Sequence, residues 1–454
     1  MTDKPRTAAL ELLRAVREDD AYANLAWPRI LHGFGLSGRD AGFATELAYG
    51  ALRGRGWYDA VLSACVSRPW DKVEPGLQDV LRLGAHQLLS MRVPDHAAVD
   101  SSCVLARESG TGPGAAARAG FVNAVLRKAA AADTEGWSER LRDGRAHDDV
   151  EWLATRWSHP AWIVRALRDA LGARRSELTA LLAADNEPAR PSLVARPGRM
   201  AVGELLDLPE VEPGRWSPLA GTLVDGTPDA LACVRDGRAG VQDEGSQLVA
   251  LALARAQVSA DAGQWLDTCA GPGGKAALLD GLAHELGGHL VAVEQHPHRA
   301  DLVKHSFAPG SASLVLTGDA RRAPWGDRLF DRVLVDAPCT GLGALRRRPE
   351  SRWRRSPADV STLGAVQRDL LRAGVEAART GGVIAYVTCS PHLAETEFVV
   401  ADVVRGRDDV VQEDARPLLA EVGDVGDVGD GPGAQLWPHR HGTDAMFLAV
   451  LRKR

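Results

Sequence analysis

The chain has no Cys-x-x-Cys pair. Cys65, Cys103, Cys233, Cys269, Cys339 and Cys389 stand apart, which argues against a zinc site or any other metal and against a disulfide framework. It also lacks an apolar run near the length of a membrane span, and the residues after Met1 are polar rather than signal-like. A cytoplasmic location with no membrane partner is therefore expected. Positive charge is not in excess: 54 Lys and Arg stand against 60 Asp and Glu, a net charge of -6, so overall charge does not announce a nucleic-acid binder. Lysine is scarce, confined to Lys4, Lys72, Lys128, Lys275, Lys304 and Lys453, while arginine, alanine, glycine and valine abound. That bias reads as genome composition. It lowers the weight of any one Gly-rich or Arg-rich stretch and raises that of a lysine inside a glycine loop.

What is present is an ordinary globular composition, 45% apolar and 25% charged over 454 residues, long enough for roughly two to four domains. Residues 1–130 carry helical spacing, with Leu10, Leu13 and Val16 in one segment and Leu77, Val80, Leu81, Leu88 and Leu89 in another. Gly and Pro punctuate them, and Thr111-Gly112-Pro113-Gly114 reads as a turn. Residues 131–160 are polar and acidic and read as a linker, and 161–241 as a small α+β subdomain with extended pieces at Ser192–Val194 and Gly221–Val224. From 242 to 454 strand and helix patterns alternate. Strands are expected at Trp265–Asp267, His289–Val293, Ser313–Leu316, Arg332–Asp336, Val383–Thr388 and Ala445–Leu451. This predicts parallel βαβ units in a doubly wound α/β, Rossmann-like sheet. The repeat Val422-Gly423-Asp424, continued to Asp430, has nothing to bury and reads as a flexible surface loop.

Ligands of open α/β sheets sit at the carboxyl ends of strands, and that is where the informative residues fall. The strand ending at Asp267 opens into Cys269-Ala270-Gly271-Pro272-Gly273-Gly274-Lys275, a glycine turn that is neither Gly-x-Gly-x-x-Gly nor a P-loop. The next strands close with Glu294, suited to ribose hydroxyls, with Asp319, suited to an adenine amine, and with Asp336. Each acid alone reads as a helix N-cap. As a set in register they describe a site for an adenosine cofactor. Like charges would repel a phosphate there, so S-adenosylmethionine fits better than NADP.

Two further strand ends carry Asp336-Ala337-Pro338-Cys339 and Thr388-Cys389-Ser390. Both thiols would face one crevice. Cytosine C5 is a poor nucleophile until a thiolate adds at C6. Afterwards the C5 proton must leave and the thiol must be expelled, while a carboxyl group near N3 can stabilise the adduct. Two cysteines and Asp336 supply that inventory. Cys65, Cys103 and Cys233 read as small buried hydrophobes, and Cys269 as packing within the cofactor loop.

Asp267–Lys275, Asp336–Cys339 and Thr388–Ser390 resemble the motifs of RNA cytosine-5 methyltransferases with two active-site cysteines. Ala44–Gly50 and Phe121–Arg127 resemble the NusB-type helical RNA-binding domain. A NusB-like domain ahead of such a catalytic domain is the layout of bacterial 16S ribosomal RNA cytosine-5 methyltransferases, and the resemblance covers the whole chain. It implies that Cys389 attacks C6, Cys339 assists proton removal and release, and Asp336 hydrogen-bonds the ring. It also implies that Cys269–Lys275, Glu294, Asp319 and Asp336 hold S-adenosylmethionine, with Lys275 reaching the methionine carboxylate or the base. Two departures stand out. Leu193–Pro197 lacks the family's asparagine, and Glu395-Thr396-Glu397 is shifted from the usual Pro-Glu-Glu-Asn.

The expected partner is RNA, with the target cytosine unpaired or flipped out, and the expected state is a monomer. Arg346–Arg355, with Trp353 among them, is expected to hold phosphates and stack a base. A transfer RNA methyltransferase of the same chemistry accounts for the catalytic half alone. A non-catalytic assembly factor accounts for the helical half alone. An amino-group methyltransferase is disfavoured because Asp336–Cys339 lacks the Asn/Asp-Pro-Pro-aromatic arrangement.

Overall fold

The computed structural model describes residues 3–109 and 114–454; the turn expected at 111–114 lies outside them except for Gly114. The chain forms two compact units, Met1–Glu187 with Leu345–Arg354, and Pro188–Ala344 with Arg355–Arg454.

The first unit is helical. Helices span Lys4–Glu18, Ala23–Phe34, Gly38–Arg53, Arg55–Cys65, Pro75–Leu89, Asp95–Glu108 and Ala115–Ala129. Their starts follow capping chemistry: the Asp3 carboxylate accepts from Arg6 N–H, and Pro75 opens its helix where no N–H partner is needed. Leu12, Leu47, Leu62, Val80, Leu81 and Leu126 meet in one core, where Cys65 and Cys103 are also buried as packing residues.

Residues 131–160 are not a linker. Helices run over Thr134–Arg142 and Val150–Arg156, capped by Asp133 and Asp149. Trp137 and Trp152 sit in the same core, and Trp137 Nε1 donates to the Ala129 carbonyl at 2.7 Å. Each helix is so short that it shows no apolar period, which is why its composition imitates a linker. The helices Ala161–Leu171 and Leu178–Ala184 also belong to this unit, so the α+β region begins at Pro188 rather than at 161.

Leu345–Arg354 belongs to the helical unit as well. Arg352 has no exposed surface. Its guanidinium donates to the Ser158 carbonyl at 2.9 Å, to Asn186 Oδ1 at 2.8 Å and to the Asp185 carbonyl at 3.2 Å. Arg354 donates to the Ala21 carbonyl and pairs with Asp20, and Glu350 accepts from Ala23 N–H at 3.1 Å. The phosphate-facing reading of the arginine cluster is therefore corrected for Arg346, Arg352 and Arg354, whereas Arg348 is exposed and Arg347 and Arg355 are half-buried. Arg346 and Arg352 are buried, Arg354 is tied to backbone, and Trp353 lies under the Arg55 guanidinium. A sequence shows the density of charge but not that carbonyl oxygens are waiting for it.

The second unit contains two sheets. The small one, in the order β2-β3-β1-β4, pairs β1 (Ser192–Ala195), β2 (Val211–Pro213), β3 (Ala220–Leu223) and β4 (Ala239–Val241) antiparallel, over a core that includes Cys233. The large sheet is eight-stranded. Its members are β5 (Gln264–Asp267), β6 (His289–Glu294), β7 (Leu314–Thr317), β8 (Phe330–Asp336), β9 (Ala378–Thr388), β10 (Val410–Glu413), β11 (Ala434–Gln435) and β12 (Phe447–Lys453). The order is β10-β12-β9-β8-β5-β6-β7, with β11 beside β12. Strands β5 to β9 pair parallel, while β12 runs antiparallel between β9 and β10. The expected doubly wound sheet is present, and the antiparallel β12 is the departure from an all-parallel one.

Alternate residues of the strands enter opposite faces: Val383, Ala385 and Val387 join one core, Ile384 and Tyr386 the other. Both faces are covered, as a parallel sheet requires. The Val-Gly-Asp repeat contributes to this burial, contrary to its reading as a surface loop. Val422, Val425 and Val428 pack into the core, and a Cβ on Gly423 would come within 2.6 Å of the Trp216 carbonyl. A period of three matches neither helix nor strand, so periodicity did not reveal the buried face. Among the described residues no helix is long and apolar enough to cross a membrane.

Replacing Arg352 by Met is expected to destabilise the protein by about 2–4 kcal/mol, because it strands buried carbonyls. It should leave the salt dependence of RNA binding unchanged, where a phosphate contact would lower the slope by about one. Denaturant unfolding and a salt titration check both, and a stability change within about 0.5 kcal/mol contradicts the structural role.

Candidate active site

The strand order reverses at β5 and β8, since the chain runs outward through β6 and β7 and returns on the other side of β5. Such a switch point opens a crevice at the carboxyl ends, and the predicted residues fall around it. The β8–β9 register pairs Asp336 with Val387, and Ala337 N–H donates to the Val387 carbonyl at 3.0 Å. The ladder therefore continues past both strands and carries Cys339 and Cys389 to the same place. Their sulfurs are 3.4 Å apart.

The two thiols differ electrostatically. The hydrogen bond from Cys339 lowers the Cys389 thiol below its ordinary value; burial and Asp336 oppose this, and the Lys275 charge supports it. The same hydrogen bond, with burial, raises Cys339 well above its ordinary value. The bias of the pair thus favours ionisation of Cys389 over that of Cys339. Cys269 is a third thiol nearby, but burial and then Asp267 push it up, consistent with packing rather than reaction.

Lys275 Nζ donates to Asp336 Oδ2 at 2.9 Å. Burial works against the ammonium, and its contact with Asp336 outweighs that, so the charge is held. The glycine loop approaches Glu294 closely: Gly271 N–H donates to Glu294 Oε2 at 3.1 Å, and a Cβ on Gly271 would lie 2.0 Å from that oxygen. Gly273 has φ +119° and packs on Ser306, a position closed to other residues on both counts. Glu294 is buried and also accepts from His296 N–H at 2.9 Å.

Asp319, at the end of β7, stands apart from these. It caps the turn Ala320–Arg322 and holds Arg321 in a forked pair with a shortest distance of 2.7 Å. Arg321 keeps its carboxyl below the usual range.

Sequence reasoning gave no role to three residues that the geometry brings in. Asp267 is fully buried, accepts from Cys269 N–H at 3.1 Å, and its Oδ2 has no partner among the described residues. Burial, then Asp336, pushes its carboxyl up to about 7. Gly343 N–H donates to the Cys389 carbonyl and its own carbonyl accepts from Ala445 N–H, both at 2.9 Å; a Cβ there would come within 2.3 Å of the Ala445 oxygen. Glu395 bonds the residues that follow each cysteine. Its only signal was an acid soon after Cys389, and no spacing rule shows that the chain doubles back there.

A backbone-walled loop without a phosphate-binding pattern, an orphaned buried carboxyl oxygen and a second carboxylate beside the loop fit a cofactor rich in hydroxyl and amino donors. Next to that loop stands a pair of thiols in contact, an arrangement suited to group transfer.

Comparison with known proteins agrees. The model of the 16S rRNA methyltransferase RsmB/F family matches residues 254–452, and that of the NusB family matches residues 3–131. A Mycobacterium tuberculosis protein whose name provisionally gives the class methyltransferase, with no substrate, is 52% identical over 99% of this chain and 97% of its own. A Pseudomonas putida protein named ribosomal RNA small subunit methyltransferase B is 31% identical over 99% of this chain and 98% of its own. The crystal structure of the protein PH0851 covers 100% of this chain and 99% of its own at a TM-score of 0.80 and 22% identity, a likeness of fold. The chain belongs to the RsmB/F methyltransferase family and carries the NusB region ahead of the catalytic one.

A carboxyl whose folded pKa is raised stabilises the fold fully below its unfolded value near 4, and that contribution is lost as pH rises through about 7. Asp267→Asn, which keeps an acceptor for Cys269 N–H, is therefore expected to stabilise the cofactor-free protein at pH 8, with the gain vanishing near pH 4. Thermal melting across that range checks this, and an Asn variant that is less stable at pH 8 contradicts it.

Proposed function

We propose that this protein methylates C5 of a cytosine in 16S ribosomal RNA through a covalent bond between Cys389 and C6. The observation that carries the reading is the contact between two thiols of opposite electrostatic bias at the switch point, within a chain of the RsmB/F family. The full-length likeness to the Pseudomonas protein named for the small-subunit RNA supports the substrate.

The Cys389 thiolate, kept charged by the Cys339 hydrogen bond and the Lys275 ammonium, is ready to add to C6 without an external base. Addition moves electron density to C5. Asp336, oriented by Lys275, reaches the cytosine ring and stabilises the adduct. Once Cys389 is a thioether it no longer accepts the Cys339 proton as a thiolate would, and the largest cause of the high Cys339 pKa disappears. Cys339 can then lose its proton to solvent and take the one on C5, after which the Cys389 thiolate leaves. The contact between the thiols, present only before attack, supports this division of labour.

S-adenosylmethionine, when bound, supplies an electrophilic methyl group on a positively charged sulfur. Cys269–Lys275 would wall it with backbone, Glu294 would accept from ribose hydroxyls, and the buried Asp267 oxygen is free to take one more donor. Asp336 would lie at its methyl end. Asp319 would meet the base once Arg321 releases it. The NusB-type region would carry RNA binding.

Incubation with S-adenosylmethionine and either 16S transcript or a transfer RNA pool, followed by mass analysis of nucleosides, tests the reading. 5-Methylcytidine in the 16S RNA, at least tenfold over transfer RNA, is expected. A methyl group on another atom, or preference for transfer RNA, overturns it.

A further inference from the structure

Glu395 has no exposed surface, yet its carboxylate meets four donors, none of them cationic. Oε1 accepts from Thr340 N–H at 2.8 Å and from Gln367 Nε2 at 3.1 Å; Oε2 accepts from Ser390 Oγ at 2.7 Å and from Thr340 Oγ1. Thr340 directly follows Cys339 and Ser390 directly follows Cys389. Gln367, on the helix Pro357–Ala377, also donates to the Pro338 carbonyl at 2.9 Å, just before Cys339. The Glu395 backbone is pinned in turn, its carbonyl accepting from Tyr386 Oη at 2.8 Å. One side chain thus grips both cysteine loops and a helix that buttresses one of them.

Burying a carboxylate away from cations is costly, and a fold needing only to fill this space could do so with an apolar residue. What the carboxylate adds is acceptor-only character. Both oxygens take two bonds each, and bonds to an ionised acceptor are shorter and stronger than neutral ones. A neutral amide keeps one such oxygen and turns the other into a donor. We infer that Glu395 is a positioning residue for methyl transfer, clamping the Cys339 and Cys389 loops so that the two thiols stay in hydrogen-bond contact. This rests on the covalent reading proposed above. Glu395 touches neither sulfur among the contacts described, so its effect passes through Thr340 and Ser390. No sequence rule links Glu395 to Thr340, 55 residues away.

The test pairs a chemical readout with a geometric one that needs no RNA. Diamide oxidises two adjacent thiols to a disulfide: the sulfurs lose two electrons and two protons, which reduce the diazene to a hydrazine. Its rate on Cys339 and Cys389, followed by mass spectrometry of the linked peptides, reports their contact. In Glu395→Gln the linking rate and the single-turnover methylation rate are expected to fall together, roughly ten- to a hundredfold, while KM for 16S transcript stays within about twofold. Ser390→Ala cuts only one arm and is the control if the first variant folds poorly; it should show a smaller fall in both rates with native melting. An unchanged linking rate in folded Glu395→Gln or Ser390→Ala overturns the clamp, as does a loss confined to KM. Wild type that links rapidly but never methylates RNA would sink the functional reading and leave the clamp standing.

Discussion

Parallel pairing of β8 with β9 is the constraint on which the rest depends. Each strand ends in a cysteine loop, and the register of Asp336 against Val387 leaves those loops no option but to emerge together. The pairing is not self-sufficient. A parallel ladder must be covered on both sides, and here alternate residues of β9 feed two separate cores. Hydrophobic burial on each face therefore fixes the strand ends from which the two cysteine loops start. Gly343 extends the same logic beyond the strands, since only a residue without a side chain can bond the Cys389 carbonyl while passing so close to Ala445.

Onto that frame the chain places charges whose value depends on being out of water. Lys275 and Asp336 form a partly buried pair beside Cys389, where a cation favours thiolate far more than it would in solvent. The two fully buried carboxyl groups of the region are treated differently. Asp267 receives one backbone donor and keeps an unsatisfied oxygen, so its charge is disfavoured until something else binds. Glu395 is satisfied on every side by neutral donors and is spent on holding loops. The first is an open valence of the site, the second a closed one.

The strands of the large sheet, the glycine loop and both cysteine motifs were legible because each is local: an apolar run, a turn and a reactive residue within a dozen positions. What was illegible is non-local or lacks a period. Trp137 and Trp152 turn an acidic stretch into core helices, though neither helix is long enough to repeat a pattern. The Val-Gly-Asp repeat buries its valines at a spacing that neither helix nor strand uses. The arginines after Cys339 read as an RNA surface because charge density is visible, whereas the carbonyls of Ser158 and Asp185 that absorb Arg352 are not. Glu395 was visible as an acid out of family register, but its partners lie across a fold that sequence does not display.

The central claim is that the two thiols divide the work, Cys389 attacking and Cys339 releasing. The most direct measurement is a trapping assay with S-adenosylmethionine and 16S transcript, comparing wild type, Cys389→Ala and Cys339→Ala on a denaturing gel. A stable protein–RNA adduct in Cys339→Ala and none in Cys389→Ala is the predicted result. An adduct that persists in Cys389→Ala and is absent from Cys339→Ala would contradict it.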